Sequence, residues 1–171
     1  MDKNTLRKEC LLKRKSLPLK YADISLFEND INFKNSKNIF CYVSYNNEID
    51  TINLICELLK IKNVLVPYCV DLKGNMIAVQ IKDISELKVG SYGILEPQKI
   101  VEFNKNQIDY VIMPGVAFSV NGGRLGYGKG YYDRFLCDIS PYKIGLCHKE
   151  LLFSNIPMEK NDVKANRVIT F

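Results

Sequence analysis

The stretch from Tyr110 to Phe135 constrains this chain more than any other. An apolar run ends at Met113-Pro114-Gly115. After Val116-Ala117-Phe118 come Asn121-Gly122-Gly123-Arg124-Leu125-Gly126-Tyr127-Gly128-Lys129-Gly130 and then Tyr131-Tyr132-Asp133-Arg134-Phe135. Five of the chain's ten glycines lie between Asn121 and Phe135. At that density a backbone can reach positive φ and aim several N–H groups at one ligand oxygen with no side chain in the way. Arg124, Lys129 and Arg134 add full positive charge beside those dipoles, a combination suited to phosphate.

Spacing narrows which phosphate loop this is. A dinucleotide fingerprint needs Gly-x-Gly-x-x-Gly, whereas Gly126, Gly128 and Gly130 run Gly-x-Gly-x-Gly, so that match fails. Gly123 to Gly130 comes closer to a P-loop but has glycine where the magnesium-binding Ser or Thr should stand. A metal would need another ligand, and Asp133 is the nearest candidate. A flexible basic surface loop is the alternative. An apolar strand before the loop and an aromatic, helix-compatible segment after it favour the phosphate reading, because such sites join a strand to a helix N-terminus.

The whole chain, 171 residues, suits one domain whose core needs no staples. Lys plus Arg exceeds Asp plus Glu by five (24 against 19), which favours anionic small molecules but falls short of a nucleic-acid-binding patch. Cys10, Cys41, Cys56, Cys69, Cys137 and Cys147 show no Cys-x-x-Cys pair and read as buried, reduced thiols. His148, the one histidine, reads as structural. No apolar stretch reaches about 18 residues, so no membrane span is expected. The N-terminus lacks an apolar signal core and carries Asp2 and Glu9, so a cytoplasmic location is expected.

Taken in order, Lys3 to Leu17 reads as a helix stopped before Pro18. Leu6, Cys10 and Leu17 share one stripe, and Lys3, Arg7 and Arg14 the adjacent one. Docked through the apolar stripe, this helix would hold three cations at the seam; a solvated basic face is the alternative. Ile24, Phe27 and Ile31 continue at helical spacing as core. Ile39 to Tyr45 reads as a strand, Asn46-Asn47 as a turn and Thr51 to Lys60 as a helix. Strands follow at Asn63 to Tyr68, Met76 to Ile81 and Ile108 to Met113, with Gly90 to Pro97 as a loop. Tyr132 to Leu136 begins a helix, and Lys143 to Cys147 and Arg167 to Phe171 supply late strands. Strands alternating with helices predict a single three-layer α/β/α domain over residues 1–171 with a mostly parallel central sheet. Ligand sites in such sheets gather at the carboxyl ends of strands, where Val43 to Glu48 and Pro114 to Asp133 would both lie. Read alone, Glu48 could equally be a carboxylate favoured by a helix N-terminus, and Val43 could be core.

The run Pro114 to Phe118, followed by Gly123 to Leu136, resembles the signature of the 5-formyltetrahydrofolate cyclo-ligase (5,10-methenyltetrahydrofolate synthetase) family. Weaker matches extend the resemblance: Lys3 with Leu6-Arg7, Glu48-Ile49-Asp50-Thr51, Pro67, Gly93-Ile94 with Glu96-Pro97, and Asp162. Ser119 departs from the family's usual Asp, Asn161 from a common His, and Ala165-Asn166 from a common acidic residue.

The resemblance implies an ATP-dependent, magnesium-requiring ligase that turns 5-formyltetrahydrofolate, with or without a polyglutamate tail, into 5,10-methenyltetrahydrofolate. It implies ATP contacts at Lys3, Leu6, Arg7 and Arg124 to Tyr132, that is Leu125, Gly126, Tyr127, Gly128, Lys129, Gly130 and Tyr131 between them. Folate contacts are implied at Val43, Glu48 and Tyr127 to Tyr131, and magnesium ligation at Asp133 and Asp162. Arg124 and Lys129 are the candidates for neutralising charge during phosphoryl transfer. A carboxylate at Glu48 suits the paired N–H donors of a pterin ring. Tyr131 and Tyr132 would wall the pocket. A monomer is expected, with no nucleic-acid or membrane partner. Two rival readings stay open on sequence: a phosphosugar or coenzyme A-type binding domain needing no ATP, and a basic nucleic-acid-binding module.

Overall fold

The computed structural model describes residues 2–90 and 93–171. Helix α1 spans Lys3–Lys15 and is started by Asp2, whose carboxylate accepts the Asn4 and Thr5 N–H groups at 2.8 and 3.1 Å. Lys13, Arg14 and Lys15 fill its last turn, where cations complement the helix dipole. It ends two residues before the expected Leu17, where Ser16 N–H and hydroxyl turn back to Lys13 O.

The central sheet has six strands: β1 (Asn38–Cys41), β2 (Asn63–Cys69), β3 (Met76–Ile81), β6 (Tyr110–Met113), β9 (Tyr142–Cys147) and β11 (Arg167–Thr170). Their order is β11-β9-β6-β1-β2-β3, parallel throughout except for the antiparallel edge strand β3. The expected α/β fold with a mostly parallel central sheet is therefore present. Register shows both faces covered. Ile39 pairs with Tyr110 on one face and Phe40 with Val111 on the other. Tyr110 meets the rings of Phe27, in a short 3-10 turn (Ile24–Phe27), and Phe33, in α2 (Ile31–Asn35). Phe40 lies 4.9 Å from Phe135 and 5.9 Å from Tyr132, both on α4 (Tyr131–Leu136). Near-continuous burial along β6 is what a parallel strand covered on both sides requires.

Several details depart from expectation. Ile31 is 62% exposed. Asp30 caps α2 and breaks the helical run that would have carried Ile31 inward, so Phe33 takes the core position instead. The helix expected from Thr51 to Lys60 is α3 (Ile52–Leu58), and it buries Leu54, Ile55 and Leu58. Within the expected loop Gly90 to Pro97, Leu95–Pro97 forms strand β5, antiparallel to β4 (Leu87–Val89), while Ser91 and Tyr92 lie outside the described residues. All six cysteines are free, but Cys69 and Cys137 are exposed.

The glycine-rich stretch divides into two devices. A small sheet of β7 (Ala117–Ser119), β8 (Arg124–Leu125) and β10 (Leu152–Phe153) uses Asn121 to Gly123 as a hairpin turn, with Gly122 at φ 82°. Only Gly126 to Gly130 is left as an open loop. Ser119 sits wholly buried in this small sheet and donates to Asn121 Oδ1 at 2.6 Å. Ala165 N–H bonds Gly122 O, and Asn166 Oδ1 accepts Lys143 N–H. Those departures from the family pattern therefore serve turns and strand ends.

Candidate active site

The carboxyl ends of β1, β2 and β6 open onto a cleft of about 940 Å³. That is ample for two organic ligands side by side. Every candidate site residue lines it except Leu6, which packs into the core. The amino end of α1 forms one wall, the loop Gly126 to Gly130 the floor, the segment after β1 the far side, and Pro157 to Asp162 the rim.

The loop's shape depends on glycine at two points. Gly128 adopts φ 96° and Gly130 φ 69°, the latter serving as N-cap of α4. A side chain at either would be strained. Arg7 grips the loop from α1 by donating from Nε to Gly126 O at 2.7 Å. Lys129 is exposed. The ion pairs among the described residues fall at Lys3, Lys105 and Arg124 and leave Lys129 unengaged.

Arg124 is different. It is buried, donates from Nη2 to Asp133 Oδ1 at 2.9 Å and lies over the Tyr132 ring at 5.5 Å. Its Nε and the Tyr132 hydroxyl are buried polar atoms with no hydrogen-bond partner among the described residues. Unpartnered donors buried beside a cleft are what a site awaiting a ligand would leave. Tyr131 instead donates its hydroxyl to Asp71 O at 2.6 Å, tying the loop to the β2–β3 turn.

Across the cleft, Asn46 and Asn47 both adopt positive φ, the turn read from sequence, and bring Glu48 back beneath Tyr45. Glu48 is 7% exposed. Its Oε1 accepts the Tyr127 hydroxyl at 2.5 Å and its Oε2 the Tyr45 N–H at 2.8 Å. Burial pushes its pKa up, opposed by the Tyr127 hydroxyl, the Tyr45 N–H and the Arg14 charge. Val43 is buried beside it.

At the rim, Lys3 pairs with Asp162 and, at 3.1 Å, with Glu159. Burial works against the Lys3 charge, but these two carboxylates outweigh it and hold its pKa above the usual value. Burial likewise opposes the Asp162 charge, yet the Glu159 N–H and Lys3 hold its pKa below the usual carboxylate range. Asp133 Oδ1 also accepts the Val163 N–H at 3.1 Å. Among the described residues no hydrogen bond reaches Asp133 Oδ2 or Asp162 Oδ1, and no group of three metal-binding side chains gathers. A magnesium ion bound here would thus draw on one or two carboxylate oxygens and complete its shell with phosphate and water, as that ion commonly does.

Sequence reasoning missed part of the lining. Tyr42, Tyr45, Cys69, Met76, Leu95 and Met158 border the cleft without having stood out as anything but core or turn. Glu96 and Ile94 were marked by the family resemblance alone. Arg14, read as one of three cations on a seam, is 3% exposed and lies outside the cleft's lining, bonded to the Tyr127 hydroxyl and Gly115 O.

Comparison with known proteins shows the family. The model of the 5-formyltetrahydrofolate cyclo-ligase family matches residues 3–171. A probable 5-formyltetrahydrofolate cyclo-ligase of Caenorhabditis elegans is 34% identical over 152 residues, 80% of this chain and 74% of the relative. The solved structure of a 5,10-methenyltetrahydrofolate synthetase from Aquifex aeolicus superposes with a TM-score of 0.84 at 31% identity, covering 99% of this chain and 90% of that one. Another such synthetase, from Mycoplasma pneumoniae, gives a TM-score of 0.74 at 27% identity, with 99% and 98% covered. With a glycine-rich cationic loop and a buried carboxylate facing each other across one cleft, and a family match from Lys3 to Phe171, the chain belongs to the 5-formyltetrahydrofolate cyclo-ligase family.

Proposed function

We propose that this protein converts 5-formyltetrahydrofolate to 5,10-methenyltetrahydrofolate, driven by ATP and releasing ADP and phosphate. The observation that carries the reading is a single cleft that joins two unlike walls: exposed Lys129 with the backbone of Gly126 to Gly130, and buried Glu48 with its two hydrogen-bond donors.

An N-formyl group is an amide, so its carbon is a weak electrophile and its oxygen a poor leaving group. In the proposed reaction the formyl oxygen attacks the γ-phosphorus of ATP, the bond to the β-bridging oxygen breaks, and ADP leaves. N10 then attacks the activated carbon and loses its proton to solvent. The C–O bond breaks with its electron pair going to phosphate, and the methenyl bridge is closed. Catalysis of such a transfer is mostly positioning and charge neutralisation. Lys129, whose ammonium lies outside the ion pairs among the described residues, would meet the γ-phosphoryl, and Arg124 would reach the nucleotide through Nε while Nη2 stays on Asp133 and Nη1 on Pro114 O. Lys3 and Arg7 supply charge from α1, with Leu6 anchoring that turn in the core. Glu48 accepts the pterin's paired N–H groups, and Val43 and Tyr131 flank it. Magnesium held by Asp133 and Asp162 would add neutralisation at the phosphates.

The contiguous core supports one domain, and a monomer is the proposed state. Free thiols at all six cysteines fit a reducing compartment, and cytoplasm is the proposed location. Among the described residues no helix is long and apolar enough to cross a membrane. The test is absorbance of the methenyl product with ATP and magnesium present. Its steady appearance is expected, and none forming at saturating substrate would defeat the proposal.

A further inference from the structure

Arg14 is buried more deeply than any other cation among the described residues, yet the reaction as proposed gives it no task. Its Nη2 donates to the Tyr127 hydroxyl at 2.5 Å and its Nη1 to Gly115 O at 3.2 Å, while its guanidinium lies 5.3 Å from the Tyr127 ring centroid. The Tyr127 hydroxyl in turn donates a hydrogen bond to Glu48 Oε1 at 2.5 Å. A relay therefore runs from α1 through the glycine loop to the carboxylate on the opposite wall.

We propose that Arg14 is a positioning residue that, through Tyr127, holds the Glu48 carboxylate in place and in its charged form for the folate's N–H donors. This rests on the reading of Glu48 as the pterin acceptor. Burial of Glu48 favours its neutral acid, and a neutral acid presents a hydroxyl where the pterin needs an acceptor. The groups facing Glu48 are Arg14 from α1, Tyr127 from the loop, Tyr42 from the segment after β1, Tyr132 from α4 and His148 after β9. All three tyrosines are neutral donors with pKa values pushed up by burial. Arg14, Glu48 and His148 line one small enclosed space of about 10 Å³, room for a single water. Burial lowers the His148 pKa, so histidine does not supply the cation. Arg14 is then the one permanent positive charge in the set, because a guanidinium does not give up its proton.

Calorimetry of 5-formyltetrahydrofolate, and separately of a non-hydrolysable ATP analogue, between about pH 6 and 9 tests this without needing turnover. In the native protein, folate affinity should stay flat over that range. In Arg14→Met it should fall about 10- to 100-fold at the acid end, the loss of a charge-assisted bond, and recover as pH rises and Glu48 ionises. Analogue affinity should change less than about threefold, because Lys3 and Arg7 sit on the same helix and would fail together if α1 came loose. Tyr127→Phe, which breaks the relay but keeps the charge, should weaken folate in the same direction and covers the case in which Arg14→Met does not fold. Pairing Arg14→Met with Glu48→Gln should abolish the pH slope. The proposal is overturned by Arg14→Met binding folate as the native protein does, by a loss equal at every pH, by parallel loss of the analogue, or by a slope that survives in the double variant. Glu48→Gln binding folate normally overturns instead the reading of Glu48 on which it rests.

Discussion

Replacing Lys129 by alanine separates catalysis from folding more cleanly than any other change in the cleft. Lys129 is exposed and lies outside the ion pairs found among the described residues, so its side chain contributes little to stability. An exposed substitution of that kind moves stability by less than about 0.5 kcal/mol, which for a domain of this size is a melting shift under about 2 °C. Its charge, by contrast, is the one proposed to meet the terminal phosphoryl. Removing one preorganised donor from developing charge costs about 3 to 4 kcal/mol of transition-state stabilisation, or about 100- to 1,000-fold in kcat. The assay is absorbance of the methenyl product at saturating folate and varied ATP, run beside a thermal melt of the same preparation. Lys129→Arg should recover part of the lost rate because it returns a cation of similar reach. Native turnover in Lys129→Ala, or a rate loss matched by a melting shift of several degrees, would refute the reasoning.

Arg124→Met should cost folding stability as well as turnover. It strands the 23%-exposed Asp133 side chain without its 2.9 Å partner, and should lower stability by about 2 to 4 kcal/mol in a urea titration; a loss below about 0.5 kcal/mol would contradict the pairing. Asp30 accepts the fully buried Tyr110 hydroxyl at 2.8 Å and caps α2, so Asp30→Ala should cost about 2 to 4 kcal/mol by the same titration. Burial opposes the Asp30 charge, but Tyr110 and the Asn32 and Phe33 N–H groups outweigh it and hold its pKa below the unfolded value. That contribution is therefore complete above about pH 4 and is lost as pH falls through the lowered value, so Asp30→Asn should flatten the acid limb of the urea-midpoint curve.

Much of this architecture was legible in the sequence because buried strands advertise themselves as short apolar runs. β3 runs from Met76 to Ile81 and β6 ends at Met113 as the apolar runs and flanking turn residues indicated. The turn at Asn46-Asn47 was legible for the same local reason, since asparagine tolerates positive φ. What stayed hidden was short or tertiary. β7, β8 and β10 have two or three residues each and carry no period, so the glycine-rich stretch read as one loop when its first third is a hairpin turn. Ile31 had the right spacing for a core it never joins, because a local cap at Asp30 overrode the period. In the site, positions from Lys3 to Asp162 converge on one cleft through strand order, which no local pattern encodes. Arg14 shows the limit most sharply. Its stripe on α1 was visible, but a buried arginine and a solvated one leave the same mark in sequence until the partner, here Tyr127, is placed.

The central claim is that the formyl oxygen itself receives the γ-phosphoryl of ATP held over the Gly126 to Gly130 loop. Labelling that oxygen with its heavy isotope and weighing the released phosphate tests this directly. The account predicts one labelled oxygen per phosphate formed, with none in solvent water. Unlabelled phosphate alongside normal methenyl formation, with the label recovered in water, would contradict it.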